Sequence, residues 1–244
     1  MSTHTRLLMT TLDPHVATYL KLREASLPVR CQPSPVAPAA LAIVETRPLP
    51  HLPLVIATAM ETHPTWPLYV FAPASVHAFL KPHVHNYTRV MLDAETMTVD
   101  EYSALLLSPE FWNVFREPFA LLFQSDCVLV RPTPTRFFSF DCIGAVCGYM
   151  HPDHFIMNGG LSLRNVEAVQ RALTLIRPMP TIQAEDLVLC NTMRAWARSF
   201  RLPTMRDCDE FAIESQGDPT LAIGMHGTDK RYAPQDLIEK ILSA

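Results

Sequence analysis

Glycine is scarce in this chain, with 7 residues in 244. It forms neither a Gly-x-Gly-x-x-Gly turn nor a Gly-x-x-x-x-Gly-Lys-Ser/Thr loop, so the two common glycine-rich phosphate cradles are not supported. Gly-x-Ser-x-Gly and His-Glu-x-x-His are missing too, which removes the hydrolase nucleophile elbow and the helical zinc pair. The six cysteines are Cys31, Cys127, Cys142, Cys147, Cys190 and Cys208. None stands in a Cys-x-x-Cys pair or clusters with histidine at zinc spacing, so they read as reduced, mostly buried thiols. Positive charge is not in excess: 20 Lys and Arg against 24 Asp and Glu give a net charge of −4. No nucleic-acid partner is expected from such a balance. No stretch approaches the ~20 apolar residues that span a bilayer. The opening MSTHTRLLMTTLDPH holds no apolar core of signal-peptide length. These absences lead to the expectation of a soluble protein with no transmembrane segment, in a reducing compartment, the cytoplasm.

Apolar residues and proline are what the chain has in quantity. Hydrophobic residues make up 48%, enough for a sizeable core, and 22 prolines stiffen the loops. The length suits one compact domain with or without an accessory arm. Asp13-Pro14 reads as an N-cap and first-turn proline opening a helix through HVATYLKLREASL. PVRCQPSPVAPAA, with four prolines from Pro28 to Pro38, reads as an extended linker. Residues 1–39 are thus expected to form a helical arm and linker that could pack on the domain, bind a partner or mediate a homodimer, and residues 40–244 the main domain.

Within that domain ALAIVETR predicts a first strand, HLPLVIATAMETH a helix, WPLYVFAP a second strand and TRVMLDA a third. TVDEYSALLLSPEFWNVF predicts helix, broken in two by Pro109. FALLFQSDCVLV is the strongest strand signal, and RFFSFDCIGAVCG a further apolar segment. VEAVQRALTLIR, AEDLVLCNTMRAWARSF and APQDLIEKILSA predict helices. The early alternation of strand and helix favours an α/β sheet with helices on both faces, with a ligand site beyond the carboxyl ends of its strands.

Four places could carry chemistry. Asp126, after the apolar FALLFQS, either caps a turn or ligates a hard divalent cation, Mg²⁺ or Mn²⁺, completed by substrate phosphates. Gly159-Gly160, in MNGGLSLRN, is either a plain turn or a place where positive φ or close backbone approach serves a ligand. Glu185 and Asp186 precede an apolar helix; they either complement its dipole or supply a general base to a hydroxyl. His226, in AIGMHGTDKRY, is either a satisfied structural group or the second protein ligand that Asp126 lacks, with Lys230 and Arg231 close by to neutralise a diphosphate. His83 and His85 read as solvated surface.

VETRPLPHLPLVI, YSALLLSPEFW, FQSDCVL, NGGLSLRN, AEDLVLC and GMHG together resemble the GT-A class of nucleotide-sugar glycosyltransferases, most closely uncharacterised glycosyltransferase-like domains of microbes, fungi and large viruses. The likeness covers about residues 41–230. It implies a GT-A-like, Rossmann-type mixed sheet flanked by helices. It further implies a nucleotide-sugar donor, a glycan or other hydroxyl acceptor, and Mn²⁺ or Mg²⁺. By the same resemblance Asp126 takes the metal-binding place of an Asp-x-Asp motif, and Gln124, next to Ser125, departs from the pattern at the first acid. Gly159 and Gly160 match the glycine loop beside donor sugar and acceptor. Glu185-Asp186 match the Glu-Asp pair of inverting members, with Asp186 as base, and His226 matches the late histidine that completes the metal shell. Glu45, Thr46 and Arg47 match the region that cradles base and ribose, and Lys230 joins the donor contacts. Two rival expectations stand beside an inverting, metal-dependent glycosyltransferase: a catalytically silent nucleotide-sugar or glycan binding module, favoured by Gln124, and a metal-dependent nucleotidyltransferase or phosphohydrolase, which would need more acids around Asp126.

Overall fold

The computed structural model describes residues 12–147, 156–177, 183–228 and 233–243. Helix α1 is Pro14–Lys21, capped by the Asp13 carboxylate, which accepts the His15 N–H at 2.9 Å. Strand β1, Ala39–Val44, follows the proline-rich segment and leads into Glu45–Arg47. Helix α2, Leu52–Thr62, is apolar on every side, with all residues from Leu52 to Met60 buried. A helix of that kind must be covered on both faces. Val128–Leu129 and α1, with Val16 and Leu20 fully buried, both pack against it. Leu12, Val16, Leu20 and Cys31 belong to the same core cluster as β1 and α2. The described part of residues 1–39 is therefore fastened to the main domain by burial. Val29–Arg30 adds a short parallel ladder with Val84–His85.

The chain continues through β2 (Leu68–Ala72), α3 (Ala74–Leu80), β3 (Thr88–Met91) and α4 (Val99–Leu106). Thr98 and Glu101 form a reciprocal capping box at the start of α4. Pro109 starts a new helix, α5 (Pro109–Trp112), with Ser108 as its cap, so the expected break is where the proline requires it. Then come β4 (Phe119–Phe123), β5 (Cys142–Val146), β6 (Met157–Asn165), α6 (Val166–Leu173), α7 (Glu185–Ala195), α8 (Met205–Phe211) and α9 (Gln235–Leu242).

The main sheet has the order β3-β2-β1-β4-β6-β5. Its first four strands are parallel, and β6 runs antiparallel to both β4 and β5. Leu41 of β1 lies between Leu68 of β2 and Leu121 of β4, and Leu121 is in turn level with Leu163 of β6. This is the expected mixed α/β sheet of Rossmann type flanked by helices. Successive strands step outward from β1 in one direction to β2 and β3, and in the other to β4. The crevice beyond the carboxyl ends of β1 and β4 is therefore the topological switch point of the sheet.

Gly159 and Gly160 are not in a turn. They lie within β6, and neither has a positive φ. Helices α3 and α8 carry no strong periodic pattern of their own and were not foreshadowed. Helix α7 ends at Ala195, short of the expected Phe200, and gives way to a 3₁₀ turn at Ala197–Ser199. All six cysteines are free and buried, as expected. Burial pushes the Cys142 thiol up to about 11, which leaves it inert at neutral pH.

His63, at the end of α2, fixes the acid limit of this core. Its Nε2 accepts the Thr133 N–H at 2.9 Å, so the proton sits on Nδ1, which faces the Ala59 carbonyl at 3.3 Å. A second proton would set N–H against N–H in a site only 4% exposed. Burial accordingly depresses the His63 pKa to about 4. The unfolded chain takes up its proton near pH 6.5, before the folded one does. The stabilisation is thus complete above pH 6.5 and is lost as pH falls towards 4, by on the order of 3 kcal/mol in all. Urea unfolding at stepwise pH should show this loss, and His63→Gln should flatten that part of the profile.

Candidate functional site

A cleft of about 450 Å³ opens at the switch point, lined by Val44–Arg47, Met97–Val99, Tyr102 and Gln124–Asp126. Both strand-end segments singled out from the sequence, Glu45–Arg47 and Gln124–Asp126, therefore share one cavity. Glu45 is buried and accepts three hydrogen bonds from Arg47: the backbone N–H at 2.9 Å, Nε at 2.8 Å and one terminal nitrogen at 2.9 Å. The carboxylate thus orients a largely exposed guanidinium at the cleft wall. Tyr102 comes from α4, opposite the strand ends. Burial, together with the Glu185 charge, pushes its phenol well above the ordinary range, and a hydrogen bond with Gln124 opposes that shift. His51, at the N-terminus of α2, lies close by. Burial lowers its pKa against the pull of a Ser125 backbone hydrogen bond and the Glu45 charge.

The turn after β4 is strapped to β6. The Gly160 carbonyl accepts the Gln124 N–H at 2.9 Å and the Cys127 thiol at 3.0 Å. The other strap is Thr228, whose N–H and hydroxyl both donate to the Asp126 carbonyl, at 3.2 and 2.9 Å. That strap carries His226 into the site. Its Nε2 is 3.1 Å from Gln124 Oε1 and 3.5 Å from Asp126 Oδ1. Residues a hundred positions apart in sequence thus meet at one point, as expected for Asp126 and His226.

Neighbouring ligands on an octahedral ion at ~2.1 Å are about 3 Å apart. His226 Nε2 is at that spacing from Gln124 Oε1, at 3.1 Å, and somewhat wider from Asp126 Oδ1, at 3.5 Å. Among the described residues no group of three or more His, Cys, Asp or Glu is disposed to hold a metal. The protein therefore offers one carboxylate, one imidazole and one amide oxygen. That fits Mg²⁺ or Mn²⁺, which draw their remaining oxygens from water and phosphate.

Gly159 and Gly160 make room for two different neighbours. A Cβ on Gly160 would run into the His226 ring, and one on Gly159 into the Glu185 carboxylate and the Arg164 guanidinium. Close approach, not positive φ, is what the glycines supply here. Asp186 Oδ2 accepts the Gly159 N–H at 3.1 Å, and its Oδ1 accepts the Leu187 N–H at 2.7 Å. Asp186 is not among the residues lining the cleft, but it is held at the residue next to the one against which His226 packs.

Glu185 has a different role from that expected of a catalytic group. It forms a two-point ion pair with Arg164, at 2.7 and 2.9 Å, with Arg164 1% and Glu185 3% exposed. Burial alone would lower the Arg164 pKa, but the Glu185 carboxylate overrides it and the net shift is upward. Both carboxylate oxygens are taken by a permanent cation. Glu185 therefore anchors α7 to β6, whereas Asp186 accepts backbone N–H groups from Gly159 and Leu187. Lys230 and Arg231 lie outside the described residues. Sequence reasoning did not single out Tyr102, Thr98, His51, Arg164 or Glu214. The signal for Arg164 and Glu214 was present: each is a charge embedded in an apolar run, GGLSLRN and FAIES, as Asp126 is.

A family described as a protein of unknown function (DUF5672) matches residues 86–226, more than half of the chain. The chain belongs to the DUF5672 family. The span shared with DUF5672 begins just before β3 and ends at His226. It contains Gln124–Asp126, Gly159-Gly160, Arg164 and Glu185-Asp186, and it leaves out Glu45–Arg47. No curated protein matches this DUF5672 member.

Removing one partner of the Arg164–Glu185 pair strands the other charge in the core. Glu185→Gln should lower stability by about 3–5 kcal/mol, measured by urea unfolding. A loss below 1 kcal/mol would return Glu185 to the list of groups free for chemistry.

Proposed function

We propose that this protein is a glycosyltransferase that moves a sugar from a nucleotide-sugar donor to an acceptor hydroxyl, with inversion and with a divalent cation. The observation that carries the reading is the meeting of Asp126 and His226, 3.5 Å apart, at the switch-point cleft bounded by Glu45–Arg47. Ligand sites in open α/β sheets lie at that crevice. The resemblance of FQSDCVL, NGGLSLRN, AEDLVLC and GMHG to GT-A sequences gives the residues their order of roles.

Asp126 and His226 would hold the cation, with the Gln124 amide oxygen beside them. When bound, Mn²⁺ or Mg²⁺ supplies positive charge against the diphosphate as the sugar–phosphate bond breaks. The Arg47 guanidinium, oriented by Glu45 at the same cleft wall, adds a fixed positive group. Thr46 and Val44 line the wall on which base and ribose would lie. The acceptor hydroxyl attacks the anomeric carbon and passes its proton to the Asp186 carboxylate as the nucleoside diphosphate departs. Asp186 is held by the Gly159 N–H, one residue from the His226 contact, so one stretch of β6 locates both the base and the cation site. Met97, Val99 and the Tyr102 ring add apolar groups to the lining of the cleft.

The silent-module reading has one observation in its favour: Gln124 supplies an amide oxygen where an acid would bind a cation more tightly. The nucleotidyltransferase reading has less support, because the other carboxylate lining the cleft, Glu45, is engaged by Arg47.

Thermal-shift titration with nucleoside diphosphates and nucleotide sugars, with and without Mn²⁺, tests the proposal. A ligand that binds the native state at a hundred times its Kd stabilises it by about 2.7 kcal/mol. Stabilisation by a diphosphate should need Mn²⁺ and be lost in Asp126→Asn. Asp186→Asn should keep that shift and lose release of the nucleoside diphosphate. Full turnover in Asp186→Asn would remove it as the base, and a shift without turnover in the wild type would favour the silent module.

A further inference from the structure

Behind His226 lies a second acid, Glu214, which is 2% exposed. Its position is set by the backbone. Ile213 and Met225 form an isolated parallel bridge, the Ile213 N–H donates to Gly224 O at 3.0 Å, and the His226 N–H donates to Ile213 O at 2.8 Å. Glu214 and His226 are the next residues along that ladder, and Glu214 Oε1 comes to 3.4 Å from His226 Nδ1. Asn158 Nδ2 donates to the same Oε1 at 3.1 Å, while Asn158 Oδ1 accepts the Gly160 N–H at 2.6 Å. Glu214 Oε2 and His226 Nδ1 are buried without a hydrogen-bond partner. A buried carboxylate with one oxygen lacking a donor is costly, and the group beside it that can donate is the imidazole.

From this arrangement we infer that Glu214 is a positioning residue for the cation site: it takes the Nδ1 proton of His226 and so leaves the Nε2 lone pair directed at Asp126 and Gln124. The inference rests on the metal-dependent reading of the cleft. Its physical basis is the choice between two imidazole tautomers. With the proton on Nε2, His226 donates to Gln124 Oε1 and cannot ligate a cation. With the proton on Nδ1, it donates to Glu214, and Nε2 is free to ligate. A metal-bound histidine almost always gives its other N–H to such an acceptor. Asn158 holds the carboxylate in place, which connects this support to the Gly160 step of β6.

Mn²⁺ affinity, read by electron paramagnetic resonance in the presence of a nucleoside diphosphate, tests this with the full chain. Glu214→Leu removes the acceptor and should weaken Mn²⁺ binding roughly 10–100-fold. Glu214→Gln keeps an acceptor oxygen and should fall between wild type and the leucine variant. A folded Glu214→Leu protein that binds Mn²⁺ as the wild type does would overturn the inference and leave the cation site standing. Wild-type protein that binds no Mn²⁺, or an Asp126→Asn variant that binds it equally well, would overturn both. If the variants do not fold, the wild type still decides. Long-range ¹H–¹⁵N spectra of the Mg²⁺-loaded protein should show His226 protonated at Nδ1; protonation at Nε2 would contradict the assignment.

Discussion

The site depends on two consecutive missing side chains. At Gly159 and Gly160 strand β6 presents bare backbone, and three things use the space: the Arg164–Glu185 pair, the Asp186 carboxylate and the His226 ring. The Gly160 carbonyl also holds the Gln124–Cys127 turn. A methyl group at either position would displace a buried charge or the imidazole. Of the seven glycines in this glycine-poor chain, these two are where an added β-carbon would meet the Glu185 carboxylate and the His226 ring.

Much of this was legible in the sequence, because it rests on local signals. Apolar runs ending in polar groups gave β1 and β4, Pro109 gave the break between α4 and α5, and Asp13-Pro14 gave the start of α1. The acid after the strongest strand was a sound marker, since a carboxylate there must find a partner. What was not legible was long-range. β6 carries an Asn-Gly-Gly run of low strand propensity and forms a strand only because β4 and β5 flank it. The engagement of Glu185 by Arg164 depends on a contact across 21 residues. Glu214 reaches His226 through a single backbone bridge that no local pattern foretells. The N-terminal segment looked separable because of its prolines, yet the all-round apolar α2 needs α1 as cover.

The chemistry of the cleft follows from how its charges are divided. Buried carboxylates here are mostly matched to cations: Glu45 to Arg47, Glu185 to Arg164, and Asp141 to Arg201. Glu214 differs, because it faces one edge of an imidazole whose other edge lies 3.5 Å from Asp126. A carboxylate that accepts the Nδ1–H of an imidazole raises the basicity of its Nε2. On the proposed metal-dependent reading, Gln124 would add a neutral donor beside His226 where a second carboxylate would add charge.

The most direct measurement is diffraction from crystals soaked in MnCl₂ and a nucleoside diphosphate, recorded for the anomalous signal of manganese. The peak should fall between Asp126 and His226, about 2.2 Å from Oδ1 and from Nε2. A peak elsewhere, or none with the diphosphate bound in the cleft, would contradict the assignment of these two residues as the cation site.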